Sequence, residues 1–111
     1  MRRIGEGGEM AGRVVAIVRD DARFTDVLLE ERKTGLVLYR LVEPQDRPTW
    51  DAYYRPWARI TLHDPAASTF DLEYMRYTRK WQRLDFVGLL EDCVHEIARD
   101  RAGVFFPPGG R

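Results

Sequence analysis

Residues 58–76 read ARITLHDPAASTFDLEYMR, and this stretch decides the fold. Ala58, Ile60 and Leu62 alternate with Arg59, Thr61 and His63, and after the Asp64-Pro65 turn signal Phe70, Leu72 and Tyr74 alternate with Asp71, Glu73 and Met75. Alternation at period two puts one row of side chains on each face of an extended chain, so both runs predict half-buried antiparallel strands. Downstream, Tyr77-Thr78-Arg79-Lys80 has the length of a tight turn, after which Trp81–Leu84 returns as a short strand. Upstream, Val14–Arg19 and Phe24–Glu31, separated by the turn-forming Asp20-Asp21, read as a hairpin. Arg32-Lys33-Thr34-Gly35 ends that pair, with Gly35 suited to a position of φ > 0, and Leu36–Leu41 follows as a third strand. Residues 43–56, with Pro44, Pro48 and Pro56, read as a long loop anchored by Trp50, Tyr53 and Tyr54.

Residues 85–103, DFVGLLEDCVHEIARDRAG, carry the helix signal. Asp85 is an N-cap residue type, Leu84 and Leu89 stand at the positions of a hydrophobic staple, and Gly103 falls where a left-handed residue ends a helix. The spacing predicts a helix over about Phe86 to Ala102. Its apolar arc holds Phe86, Val87, Leu89, Leu90, Cys93, Val94, Ile97 and Ala98, and its polar arc Glu91, Asp92, His95, Glu96 and Arg99. One-sided strands and a one-sided helix need each other. The expected fold is therefore α+β, an antiparallel β-meander of five or six strands with one C-terminal amphipathic helix packed on one face. Leu90, Val94 and Ile97 should then bury against Ala58, Ile60, Leu62, Phe70 and Leu72. Residues 1–12 are expected to form a disordered extension, with Met10 an alternative start, residues 13–106 a single domain, and residues 107–111 a frayed tail behind Val104-Phe105-Phe106, which folds back on the core.

The chain has 111 residues, room for one core, and its 44% hydrophobic residues are enough to fill it. Eighteen basic and eighteen acidic residues cancel, which argues against a surface that clings as a whole to nucleic acid or anionic lipid. The longest apolar runs, Val14–Val18 and Phe86–Leu90, are five residues, far short of the ~20 of a membrane span. Gly5-Glu6-Gly7-Gly8-Glu9 stands where a secretory signal would be apolar. The glycines there lack the flanking strand and the Lys-Ser/Thr pair of a phosphate loop. With one cysteine no internal disulfide forms. A cytoplasmic setting without membrane contact is expected.

Pro56-x-Ala58-x-Ile60, Phe70-x-Leu72-x-Tyr74, Lys80-Trp81, Leu89-Leu90 and Ile97-x-x-Asp100-x-x-Gly103-x-Phe105-Phe106 together resemble a family of short bacterial proteins classed as a domain of unknown function. The resemblance covers residues 54–106, with Phe70 where that family commonly has Trp and Pro107 where it commonly has Gly. It implies a fold and no reaction, cofactor or catalytic residue.

No catalytic constellation emerges from the residues. His95-Glu96-x-x-Arg99 has the start of a zinc-protease helix motif, but Arg99 occupies the second ligand position. Glu91, His95 and Arg99 at four-residue steps read as an exposed ion-pair ladder. Cys93 lies in the apolar arc, where burial blunts a thiol. His63-Asp64 could orient an imidazole, yet Thr61, Ser68 and Thr69 offer no activated nucleophile, and turn chemistry explains the set. No metal or cofactor site is expected.

Charge and aromatics are unevenly placed. Arg76, Arg79, Lys80 and Arg83 occur without an acid between Tyr74 and Leu84, and nine of the thirteen aromatics fall between Trp50 and Phe86. Such a surface suits a partner protein, including a second copy, or single-stranded nucleic acid. The candidate contact residues are Arg59, Arg76, Arg79, Lys80, Trp81 and Arg83. A protein-interaction or self-associating module, such as a homodimer, is the expected function, with weak single-stranded nucleic-acid binding as the alternative. In the expected register Arg76 pairs with Trp81 and Tyr74 faces Arg83, which sets cations on the face that also holds Phe70 and Leu72.

Overall fold

The computed structural model describes residues 1–3, 8–42 and 53–106. In chain order the elements are β1 (Arg2–Arg3), α1 (Glu9–Val18), a 3-10 turn (Ala22–Phe24), β2 (Val27–Arg32), β3 (Gly35–Val42), β4 (Tyr53–Asp64), β5 (Thr69–Met75), β6 (Trp81–Gly88) and α2 (Leu90–Arg99). β2 to β6 form a five-strand antiparallel meander, and β1 adds two residues parallel to β2 at one edge. The class is α+β, with the C-terminal helix on one face as the alternation required. Ile60 lies opposite Leu72 and Leu62 opposite Phe70. These rows, with Leu36, Leu38 and Ala58, share a core with Leu90, Cys93, Val94 and Ile97 of α2. Burying apolar area on both sides of this contact is what holds helix to sheet.

The backbone crosses closely at one point. Leu62 N–H donates to the Thr34 carbonyl at 2.7 Å, and a Cβ on Gly35, whose φ is +156°, would run into the Ile60 carbonyl oxygen. Gly35 therefore opens β3 because no side chain fits there.

The first correction is at the N-terminus. Val14–Arg19, expected as a strand, belongs to a helix, and residues 9–12 of the supposed extension are its first turns. Ala11, Val14 and Val18 are buried. Their spacing of three and four is helical, and the β-branched run masked it. Gly8 caps the helix without a side chain, and Glu31 of β2 supplies the missing acceptor, taking the Ala11 N–H at 2.8 Å. The expected hairpin partner, Phe24–Glu31, starts later as β2, after the 3-10 turn buries Phe24. Within the expected 43–56 loop, residues 43–52, including Trp50, lie outside the described residues, whereas 53–56 open β4. Pro56 is tolerated in that strand because the register slips there: Leu38 pairs with Ala58 and Tyr39 with Pro56, leaving Trp57 as an extra residue. The slip turns Trp57 as well as Ala58 into the core.

The second correction is at the other end. Phe86–Gly88 continue β6, with Val87 opposite Asp71 and Gly88 opposite Phe70, so the helix begins only at Leu90. Asp85 is no cap. Instead Asp92 reaches back to accept the Leu89 N–H at 3.2 Å. The helix ends at Asp100, in the left-handed region at φ 50°, three residues before Gly103. Asp100 then anchors the C-terminal tail. Its carboxylate accepts the N–H groups of Val104 at 2.9 Å, Phe105 at 3.0 Å and Phe106 at 2.8 Å. The tail folds back as expected, burying Phe105, whose carbonyl accepts Trp57 Nε1–H at 3.1 Å. Phe106 packs edge-on against Trp57 and Phe24, with ring centroids 5.3 and 5.8 Å apart. Residues 107–111 lie outside the described residues.

Candidate interaction surface

The hairpin of β5 and β6 carries the residues singled out by charge. Arg76 N–H donates to the Lys80 carbonyl and Arg79 N–H to the Arg76 carbonyl, both at 2.9 Å, and Arg79 sits at φ 65°. This is a three-residue loop built from a turn followed by a left-handed residue. It shifts the register by one from the expected pairing: Met75, not Arg76, lies opposite Trp81, and Arg83 faces Glu73, not Tyr74. A slip of one residue exchanges the two faces of a strand. Trp81 and Arg83 therefore lie on the face away from the helices, and the clash of cations with Phe70 and Leu72 disappears.

On that open face the charges are already matched. Arg59 grips Glu73 with two hydrogen bonds, Nε at 2.9 Å and Nη2 at 2.7 Å, and its guanidinium lies 4.5 Å from the Trp81 ring centroid. Arg83 Nη2 lies 2.7 Å from Asp71 Oδ1, while Asp71 Oδ2 meets His63 Nδ1 at 3.1 Å. The Arg83 contact is close but poorly aligned, since Oδ1 makes no hydrogen bond of good geometry. His63 thus pairs with Asp71 across the strands and not with its neighbour Asp64. Further along, Tyr39 O–H donates to Glu30 Oε1 at 2.7 Å beside Arg32. These two donors, Tyr39 first, hold the Glu30 carboxyl below its usual range. Burial, reinforced by Glu30, raises the Tyr39 hydroxyl.

Of the six candidate residues, Arg59, Trp81 and Arg83 are thus bound into the sheet. Arg76, Arg79 and Lys80 are exposed at the tip, and among the described residues none makes an ion pair. Between them Tyr77 is 85% exposed. By sequence Tyr77 reads as no more than a spacer in the turn. A signal for it is present all the same: an aromatic ring stands where turns favour Gly, Asn or Asp.

Burial, with the neighbouring charge of Asp92 adding to it, pushes the Cys93 thiol up to about 12, and Cys93 lies at the centre of the core. Glu91 pairs with Arg13 of α1 at 2.8 Å instead of completing a ladder with His95. Among the described residues no group of three or more His, Cys, Asp or Glu could hold a metal. Two depressions among the described residues are open to solvent, one of about 340 Å³ around Gly35, Arg59 and Glu73 and one of the same size between the end of β6 and α2. Neither resembles the enclosed, mostly apolar cavity that holds a small molecule.

The core built by the alternating strands, α2 and the Asp100-anchored tail runs through residues that match a family model described as "Domain of unknown function (DUF3024)", over residues 16–107. The chain belongs to the DUF3024 family. The match reaches further upstream than the motifs of residues 54–106, taking in the end of α1 together with β2 and β3. Comparison with curated proteins and with solved structures found no match. In this DUF3024 chain no helix among the described residues is long and apolar enough to cross a membrane.

Proposed function

We propose that this DUF3024 chain is a non-catalytic binding module, working inside the cell, whose β5–β6 hairpin tip docks on an acidic surface of a partner protein. The observation that carries the reading is the tip itself: Arg76, Arg79 and Lys80 without ion pairs among the described residues, around a Tyr77 that is 85% exposed. Tyrosine and arginine are the residue types that dominate binding energy at interfaces. The rigid platform beneath supports it, because Arg59 and Trp81 are fixed by Glu73 and by each other. A second reading has its own observation, since an exposed ring flanked by cations is also the element on which a single-stranded base stacks.

Fluorescence anisotropy against labelled polyglutamate and a labelled single-stranded oligonucleotide tests both readings. The wild type should bind polyglutamate, and a variant with Arg76, Arg79 and Lys80 changed to Ser and Tyr77 to Ser should lose that binding while keeping its melting temperature. Tighter binding of the oligonucleotide, with a steep salt dependence, would transfer the assignment to nucleic acid. Binding of neither, or equal binding by the variant, would make the tip a solvated face and end the proposal.

A further inference from the structure

β6 is the last strand of the sheet, and among the described residues nothing pairs with its outer side over Trp81–Gly88. Eight residues form a long edge, and an open edge is a template for another strand. The apolar side chains at the far end of this edge are not covered. Val87 is 43% exposed and Leu89, at the step into α2, 49%. The stripe of α2 that overhangs the strand's end carries Asp92 and Glu96 together with His95 and Arg99.

We propose that two copies of this chain associate through β6, edge to edge and antiparallel, about a two-fold axis at Leu84. A two-fold contact must be complementary to itself. Pairing about Leu84 meets that demand: Arg83 of each copy falls opposite Asp85 of the other, and Trp81 opposite Val87, so each strand supplies one charge of each sign and one half of each apolar pair. Trp81, Arg83 and Val87 face the side of the sheet away from the helices, opposite Met75, Glu73 and Asp71. A two-fold axis normal to the sheet keeps them on one face in both copies.

This association does not depend on the hairpin tip, and the measurement separates the two. Size-exclusion chromatography with light scattering, from micromolar to near-millimolar chain, should give a dimer for the wild type. Asp85→Lys sets like charges opposite each other, and Val87→Lys removes the apolar pair; each should give a monomer with unchanged far-ultraviolet circular dichroism. The Arg76, Tyr77, Arg79 and Lys80 variant should remain a dimer even where it has lost its acidic ligand. A wild type that stays monomeric across the range overturns the proposal, and so does a dimer that survives both lysine substitutions.

Discussion

Asp100 ties the end of α2 to the tail that follows it. Placed just past the last turn of α2, it accepts three consecutive backbone N–H groups that would otherwise be left without partners as the tail turns inward. Asp100→Ala should lower the unfolding free energy by about 2–4 kcal/mol in a urea titration, since buried donors left unpaired cost more than the bond itself. Asp100→Asn is the sharper test. Its oxygen can still serve Val104 and Phe105, but its amide would set a donor against the Phe106 N–H, so an intermediate loss is expected. A second residue-scale expectation concerns Cys93. Its ordinary value is 9.0, and the folded chain holds the proton up to about 12. The thiol's contribution to stability is therefore complete below the value in the unfolded chain and declines as pH rises through that window. The native protein should resist a thiol reagent near neutral pH and react on addition of denaturant; rapid labelling of the native state would show that the site opens.

At the scale of elements, α2 and the sheet depend on each other through a few fully buried side chains. Leu90→Ala should cost about 2–5 kcal/mol by thermal or urea denaturation, because Leu90 is 1% exposed and the surrounding strands cannot collapse into the gap. Where an element's apolar residues faced a single neighbour, the sequence was readable. β4, β5 and the C-terminal half of α2 show clean periodicity for that reason, and so does the packing of Leu90, Val94 and Ile97. Where an element made its decisive contact across the fold, local pattern misled. α1 takes its N-terminal acceptor from Glu31 on β2, a partner no window around Gly8 contains. β6 outlasts its apparent helix cap because Phe70 and Asp71 hold Gly88 and Val87 in pairing. The hairpin register depended on a left-handed Arg79, a conformation its residue type does not announce. Of the candidate contact residues, the cations were legible and their internal partners were not, since Glu73 and Asp71 reach Arg59 and Arg83 only once the strands are in register.

The whole molecule is closed by its ends. Arg13 of the first helix bonds Glu91 of the last across 78 positions, and Arg40 reaches the Phe105 carbonyl across 65. Contacts of such separation reward the chain only after long loops have closed, so folding is expected on the slower side for a domain of this size. The aromatic cluster of Phe24 and Trp57 stays unroofed until Phe105 and Phe106 arrive. On the ribosome this imposes an order of events. Strands β2 to β5 emerge with α1 alone to cover their apolar face, while α2 and the Phe105-Phe106 tail are still unmade or inside the exit tunnel. A chain cut short before α2 would therefore keep β2 to β5 with α1 alone on their apolar face, the kind of species that chaperones and proteases act on first.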